Sequence, residues 1–461
     1  MPSILLITAA FAPSRLIGGR RAERMAQHLH AAGWQVTVLT LLPPYMTPLD
    51  RALQPPAGIE ILATHAVMPR ALLEVARGWR SMGPGQHKPA AQRANPTAPG
   101  TPPDKSRRQP LWAYARRLAA ASLRLTEFPD AYRGWQPLAR AAVRGRRFDV
   151  VLGTMPPFTI ALLARDLAPT CGAKLVLDYR DPWSDLLDPQ GVYRSDDPVD
   201  APTHARHQEV EDACLRQADL VLAVTPTIQR LLQARTRRPV EMVTNGFQIA
   251  QAGGGIRPDP PATQISGGAP PHDPLRLFYA GSLAYGRSLQ PLLAALALLR
   301  AEVTPGQVRL AVAGKQGADV LRQAAALGVG EYVEDLGELA SAQVQALTAT
   351  AGAGVVVVSD RTAYGYPGKI FEILGAGAPV LLLARADCDA ATLVHDHHLG
   401  WSHESHDVAG LAHTVRAILA GERPVPRDLD ALSADVVMRD LERHLRALLT
   451  QSSPPQAPSE S

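Results

Sequence analysis

Short apolar runs alternate with helix-like segments along most of the chain, and this alternation restricts the fold more than any other feature. An apolar run at residues 3–10 is followed by an amphipathic segment at about 19–32 and a second apolar run at 35–40. A strand, a helix and a strand in that order form a βαβ unit, in which the two strands lie parallel. Four further strand-like runs follow in the first half, at 150–152, 174–178, 220–224 and 241–243. The first half is therefore predicted to be a doubly wound parallel sheet, a Rossmann-like domain.

The same alternation begins again after a stretch rich in glycine and proline. Residues 250–274 contain three consecutive glycines and several prolines, which is typical of a linker. At 461 residues the chain is also too long for one ordinary core. Further strand-like runs follow at 275–281, 308–314, 333–337, 354–358 and 380–383. We predict an α/β protein with two Rossmann-like domains, at 1–249 and 275–432.

Three other segments complete the predicted organisation. An amphipathic pattern at 433–450 indicates a closing helix. Residues 82–110 and 451–461 are rich in small and polar residues and proline and lack apolar periodicity, so we predict a disordered insertion and a disordered tail.

Composition excludes several classes of protein. The three cysteines are scattered without metal-ligand spacing, which argues against a disulfide framework or a zinc site. No run of 18 apolar residues occurs, so no transmembrane helix is expected. The apolar run at 4–12 has no lysine or arginine before it, so we interpret it as a strand rather than a signal peptide. These observations favour a cytoplasmic protein.

Positive charge is concentrated in one region. Residues 70–147 carry 16 lysines and arginines against four acids, whereas the whole chain has a net charge of +4. Such an excess suits peripheral contact with an anionic membrane surface or with an anionic acceptor. A solvated, arginine-rich face is the alternative. Nucleic acid is not expected as a partner, because no known nucleic-acid reader motif accompanies the arginines.

The sharpest motif is the run Tyr366-Pro-Gly-Lys-Ile-Phe-Glu-Ile-Leu-Gly-Ala-Gly-Ala-Pro-Val380. It follows a predicted strand and indicates a helix that opens at Pro367 and Gly368, whose free backbone amides form an anion site. Lys369 and Glu372 are three residues apart and share a face near the helix start. A cation for phosphate beside a carboxylate for sugar hydroxyls suggests a nucleoside diphosphate-sugar as ligand.

This motif resembles the donor-site motif of GT-B glycosyltransferases, in particular those of glycosyltransferase family 4. The resemblance implies two domains that face each other across a cleft, with the acceptor in the domain at 1–249 and the donor in the domain at 275–432. It implies no cofactor, because the nucleotide-sugar is a substrate. The donor-binding residues it implies are Gly18, Gly19, Gly281, Gly337, Pro367, Gly368 and Glu372.

The resemblance also implies how the diphosphate leaves. In the family a basic residue after the first strand of the second domain binds the diphosphate, and that position falls on Arg287. Arg287 and Lys369 would together stabilise the charge that builds on the departing phosphate. The sequence has no obvious Asp-x-Asp metal motif at a strand end, so we expect a metal-independent reaction with no metal site.

A second motif, Asp178-Tyr-Arg-Asp-Pro-Trp183, ends another predicted strand and resembles the D-x-R-D-x-W segment of family-4 enzymes. Asp181 is predicted to be catalytic, by orienting the acceptor hydroxyl, taking its proton or holding the transferred sugar. Thr154, Asp178 and Arg180 are predicted to line the acceptor side. The alternative is a helix cap at Asp181 with Trp183 packed beside it.

Three arginines open the first predicted helix, where cations oppose the helix dipole. We therefore expect at least one of Arg20, Arg21 and Arg24 to face an anion or an acidic partner.

The sequence departs from the family pattern in two places. Other members carry a cleft histidine after a strand of the first domain, where this chain has the run that includes Arg180 and Asp181. Family members often carry a second glutamate eight residues before the one at Glu372, but this chain has Tyr364 there. A histidine cluster at His395, His397 and His398 lacks a supporting carboxylate pair and receives no role.

The sequence therefore predicts transfer of a hexose-type sugar from a nucleoside diphosphate-sugar to an acceptor hydroxyl, with retention if the family holds. The acceptor class stays open between a glycan, a lipid-linked oligosaccharide and a small molecule, as in cell-surface polysaccharide or glycoconjugate synthesis. The alternatives are a non-catalytic GT-B partner subunit and a sugar-nucleotide epimerase.

Overall fold

The structure is a computed structural model that describes residues 1–14, 17–46, 49, 53–67, 128–188, 199–248, 274–284 and 286–450. The predicted insertion, almost all of the predicted linker, the predicted tail and most of the basic region lie outside these residues.

The N-terminal half forms one sheet of seven parallel strands, in the order β3-β2-β1-β4-β5-β6-β7. The strands are β1 (Ser3–Ile7), β2 (Gln35–Leu41), β3 (Glu60–Thr64), β4 (Val150–Met155), β5 (Lys174–Tyr179), β6 (Leu220–Ala223) and β7 (Val240–Met242). The α-helices described here are α1 (Ile17–Ala31), α2 (Gln136–Ala142), α3 (Thr159–Cys171), α4 (Ser184–Leu187), α5 (Ala201–Gln217) and α6 (Pro226–Gln233).

The C-terminal half forms a second sheet of six parallel strands, in the order β10-β9-β8-β11-β12-β13. The strands are β8 (Leu275–Ala280), β9 (Val308–Ala313), β10 (Val333–Gly337), β11 (Ala353–Val357), β12 (Val380–Leu383) and β13 (Gly400–His403). The helices are α7 (Gln290–Leu299), α8 (Gly317–Ala326), α9 (Ser341–Ala349), α10 (Gly368–Gly375), α11 (Asp389–Asp396), α12 (Val408–Leu419) and α13 (Ala434–Thr450).

Both sheets are doubly wound, as the alternation predicts. In each sheet the chain starts at a central strand, moves to one edge, and then returns to continue on the other side of that strand. The predicted fold class, α/β with two parallel sheets, is confirmed. Two strands, β3 and β13, were not predicted from the sequence.

Apolar side chains cover both faces of each sheet. Helix α13 follows the second sheet in the chain, yet it packs beside α1 on the first sheet, where its Leu441 and Leu445 are fully buried with Met25 and Leu29. The chain returns there alongside Phe247, which exchanges backbone hydrogen bonds with the segment just before α13.

The sheet order determines where ligands bind. In doubly wound sheets the crevice lies at the carboxyl ends of the strands, where the winding reverses. That point lies between β1 and β4 in the first sheet and between β8 and β11 in the second.

Candidate active site

A cavity of about 770 Å³, here called the central cavity, lies between the carboxyl ends of the two sheets. The first domain contributes residues that follow β1, β4, β5 and β7, and the second contributes α9, α10 and residues of β8. Both winding-reversal points therefore open into one space. Among the predicted site residues, those that line it are Gly18, Arg180, Asp181, Gly368, Lys369 and Glu372.

Helix α10 presents the predicted donor groups to this cavity. Pro367 is the extended residue before the helix rather than a member of its first turn, and it makes no side-chain cap. Lys369 Nζ lies 2.6 Å from Glu372 Oε2, as the three-residue spacing predicts. Across the cleft, Arg20 Nη1 lies 3.5 Å from Glu372 Oε1. Glu372 is thus shared between a cation of its own helix and one of the opposite domain.

The predicted donor glycines of the second sheet lie beside a smaller cavity of about 270 Å³ that shares Lys369 with the central cavity. Gly281 lines it. Gly337, at the end of β10, accepts a hydrogen bond from Gly314 and has a φ of +62°, in the left-handed region that favours glycine. Arg287 is not among the residues that line either cavity, and its Nη1 lies 3.4 Å from the Ser282 carbonyl oxygen. Ser282 lines the smaller cavity together with Lys369, so Arg287 lies one residue behind that cavity.

Gly18 and Gly19 lie in the first turn of α1, whereas the sequence placed them in a loop. A Cβ atom on Gly18 would lie 2.5 Å from Arg180 Nη1, and one on Gly19 would lie 3.2 Å from the Ala10 carbonyl oxygen. The missing side chains therefore make room for Arg180 and for close packing of α1 against the segment after β1.

Thr154 and Asp178 do not reach the cavity surface, although the sequence placed them on the acceptor side. Both side chains are fully buried. Asp178 accepts two hydrogen bonds from the guanidinium of Arg21, at 2.7 and 2.9 Å, and one from Thr154 Oγ1 at 2.7 Å. Arg21 also donates to the carbonyl oxygens of Val243 and Thr244 at 2.7 Å. These hydrogen bonds connect α1 with β4, β5 and the segment after β7. Arg21 lines the central cavity, and Thr154 and Asp178 lie behind it.

The contact between Arg21 and Asp178 confirms that an arginine at the start of α1 faces an acidic partner. The sequence did not indicate which carboxylate it would be, since the two residues are 157 positions apart.

Arg180 and Asp181, next along the chain, do line the central cavity. Arg180 donates from Nε to the Met155 carbonyl oxygen at 2.7 Å and from Nη2 to that of Pro156 at 2.6 Å. Burial raises the pKa of Asp181, while the charge of Arg180 and a hydrogen bond from Tyr364 oppose that rise. Trp183 is fully buried and stacks on Phe158 at a centroid distance of 5.2 Å, so it packs as the alternative interpretation expects.

Tyr364, the residue at the expected glutamate position, reaches across the cleft. Its hydroxyl lies 3.3 Å from Asp181 Oδ1, and its backbone oxygen accepts a hydrogen bond from Thr225 Oγ1 at 2.7 Å. Only 8% of Tyr364 is exposed, and it packs with the core of the first domain. Burial is the main reason that its pKa lies well above the usual value. Sequence reasoning noted the substitution but not this contact.

Comparison with known proteins decides the family. Residues 18–246 match the family model described as "Glycosyl transferase 4-like domain". The chain belongs to the family-4-type glycosyltransferases. The resemblance that the motif at 366–380 indicated is confirmed, and with it the prediction of a transferase enzyme. No curated protein sequence matches the chain.

Solved structures similar to this glycosyltransferase share its fold over nearly the full length. HepE of Anabaena, solved in complex with UDP, is 15% identical with a TM-score of 0.55, and the match covers 97% of this chain and 100% of HepE. Sucrose-phosphate synthase from Thermosynechococcus elongatus is 15% identical with a TM-score of 0.52, covering 97% and 96%. The lipopolysaccharide outer core galactosyltransferase WaaB is 12% identical with a TM-score of 0.54, covering 97% and 99%. These structures establish the GT-B fold.

Two further observations concern only the residues that the structure describes. Among them, no three histidine, cysteine or acidic side chains group together as metal ligands would. His395 contacts Asp396, and His397 contacts the Arg427 carbonyl oxygen, so these histidines do not converge. None of the described helices is both long and apolar enough to cross a membrane.

Proposed function

We propose that this glycosyltransferase moves a sugar from a nucleoside diphosphate-sugar to an acceptor hydroxyl, with retention and without a metal ion. One observation supports this most: Lys369 and Glu372 stand at the start of α10 on one wall of the central cavity, and Arg180 and Asp181 stand on the other. The first pair suits a diphosphate and sugar hydroxyls, and the second suits an acceptor.

The donor binds on the wall formed by the second domain. Its diphosphate contacts Lys369 and the free backbone amides at the start of α10, and Glu372 binds the ribose hydroxyls. Glu372 now contacts both Lys369 and Arg20, so donor binding exchanges those contacts for hydroxyl groups. HepE of Anabaena, which shares the fold, has been solved with UDP and with UDP-glucose.

In the reaction the bond from the anomeric carbon to the donor phosphate breaks, and a bond to the acceptor oxygen forms on the same face of the sugar. The leaving phosphate oxygen takes the proton of the acceptor hydroxyl, so no separate base is needed. Lys369 stabilises the charge that develops on the phosphate, which a metal ion would otherwise do. Asp181 orients the acceptor hydroxyl. Arg287 is left out of this set, because it does not line the cavity.

We assign the reaction to cell-surface polysaccharide or glycoconjugate synthesis, with the basic region at 70–147 as the segment that contacts a membrane. This assignment rests on the charge of that region.

The direct test is calorimetric titration with UDP, GDP, ADP and their sugars, in EDTA and again with Mg²⁺. We expect one nucleotide to bind equally well in both buffers. Lys369→Ala removes the cation at the diphosphate and weakens that binding by roughly tenfold or more. Arg443→Ala is the matched control, because it removes another exposed helical cation with an acidic partner three residues away, at 3.0 Å on α13.

Other outcomes would select the alternatives. If no nucleotide binds, the donor site is wrongly assigned and the non-catalytic partner subunit, which the tyrosine at position 364 favours, becomes the better interpretation. Release of free sugar and nucleotide without an acceptor would favour the epimerase. Binding that requires Mg²⁺ would contradict the metal-independent reaction.

A further inference from the structure

The central cavity carries more positive than negative side chains. Among the residues that the structure describes, its lining includes five cations, Arg20, Arg21, Arg24, Arg180 and Lys369, and two carboxylates, Asp181 and Glu372. Four of the five cations belong to the first domain, on the wall opposite the donor helix.

Some of these charges already have partners. Arg21 is neutralised by Asp178 behind the wall, and Glu372 is shared by Lys369 and Arg20. Arg24 donates to the backbone carbonyl oxygens of Asn245 and Gly246, at 3.0 and 3.1 Å, and Glu372 and Glu23 act on it through their charge.

Arg180 is the cation whose guanidinium is held in a defined orientation next to the predicted acceptor group. Its Nε and Nη2 donate to two backbone carbonyl oxygens, which hold the guanidinium in one orientation. In the part of the chain that the structure describes, no carboxylate oxygen lies within 4.0 Å of its nitrogen atoms. Burial lowers its pKa, although Asp178 and Asp181 oppose that change. A guanidinium stays charged in proteins, and the nearby carboxylates offset its desolvation only in part, so an anion bound at Arg180 would be stabilised.

The remaining edge of this guanidinium, Nη1, faces Gly18, where a Cβ atom would lie only 2.5 Å away. The next residue, Asp181, lines the same cavity and is the group assigned to the acceptor hydroxyl. An anionic group at Arg180 would therefore lie on the acceptor side, near the reacting hydroxyl. The donor diphosphate lies on the other wall, at α10.

We propose that the acceptor carries a phosphate ester, which Arg180 binds while Asp181 orients the hydroxyl that is glycosylated. This inference rests on the proposed function, since it takes the donor site as given. Guanidinium is the side chain best suited to the planar, paired hydrogen bonds that phosphate oxygens accept.

The test separates the two sites in one set of titrations. The protein is first titrated with nucleotides, and then, with the bound nucleotide saturating, with glucose 6-phosphate, glucose and inorganic phosphate. We expect glucose 6-phosphate to bind and glucose not to bind. Arg180→Gln should weaken the sugar phosphate by about tenfold or more and change the nucleotide dissociation constant less than twofold. Arg180→Lys should restore part of the loss.

Arg216→Gln is the matched control, because Arg216 is exposed on α5 and does not line the cavity, so the variant removes one charge elsewhere in the same domain. Equal unfolding temperatures of the variants verify that each is folded.

A parallel experiment uses vesicles with and without anionic phospholipid. If the wild-type protein sediments with the anionic vesicles and Arg180→Gln abolishes that sedimentation, the phosphate is that of a lipid.

Three results would overturn the proposal. The first is a tenfold loss of nucleotide affinity in Arg180→Gln, which would assign Arg180 to the donor diphosphate. The second is equal binding of sugar phosphate by wild type and Arg180→Gln. The third is that none of these phosphates binds. If wild type binds no nucleotide, the proposed function fails, yet the phosphate titration repeated without nucleotide still reports on Arg180.

Discussion

The ion pair between Arg21 and Asp178 is deeply buried and should contribute strongly to the stability of the first domain. Only 4% of the Arg21 side chain and none of Asp178 is exposed, and the contact has two hydrogen bonds of 2.7 and 2.9 Å. Arg21→Met would leave the Asp178 carboxylate buried without its counter-charge, which typically costs about 3–5 kcal/mol. For a domain of this size such a loss lowers the unfolding temperature by roughly 10 °C.

The matched control is a surface pair with similar geometry. Arg146 also donates two hydrogen bonds to a carboxylate, that of Glu60, both at 2.7 Å, but the two side chains are 37% and 45% exposed. Arg146→Met should therefore cost less than about 1 kcal/mol. Both variants remove the same charge and the same number of carboxylate contacts, and they differ in burial and in the hydrogen bonds that Arg21 also donates to the carbonyl oxygens of Val243 and Thr244.

Thermal and urea unfolding followed by tryptophan fluorescence measures both losses. The cycle is completed by Asp178→Leu and by the double variant, which should be less destabilised than the sum of the two single variants. If Arg21→Met and Arg146→Met lose the same stability, or if the cycle is additive, the assignment of Arg21 as the main tie of α1 is refuted.

Two further predictions concern contacts between the domains. Tyr364→Phe removes a hydrogen bond that lowers the pKa of Asp181, so that pKa should rise further. On acidification, activity should then be lost at a higher pH than in the wild type. An unshifted acid limb in the pH profile of kcat/KM would contradict this. Asp389→Ala removes the acceptors for the backbone N–H and hydroxyl of Thr227, at 3.0 and 2.8 Å, across the domains. The loss, roughly 1–3 kcal/mol for the unpaired buried donors, should separate two unfolding transitions in calorimetry, and an unchanged thermogram would count against it.

The strands that the sequence predicted well are those with strong local patterns. The bounds of β10 and β12 agree with the prediction, because each is a compact run of residues next to a glycine or proline. Strand β3 was missed because Glu60–Thr64 is an edge strand with no fully buried residue, and its apolar run at 61–63 is short. Strand β13, Gly400–His403, was missed for the same reason.

At the site, sequence reasoning succeeded where function depends on spacing within one element. The pairing of Lys369 with Glu372 follows from their positions on one helix. It failed for Asp178, which the end of a strand suggested would face the cleft, because an arginine far away in sequence covers it. Contacts of this kind depend on the arrangement of whole elements, which a local pattern does not contain.

The packing of α13 on the first sheet has a consequence for biosynthesis. The first domain is discontinuous in sequence, since helix α13, which packs on its sheet, follows the entire second domain in the chain. Domains generally fold as they leave the ribosome, starting from the N-terminus. In this chain the apolar side chains of Met25 and Leu29 in the nascent first domain stay uncovered while about 160 residues of the second domain are translated. That apolar surface is covered only when the last helix emerges.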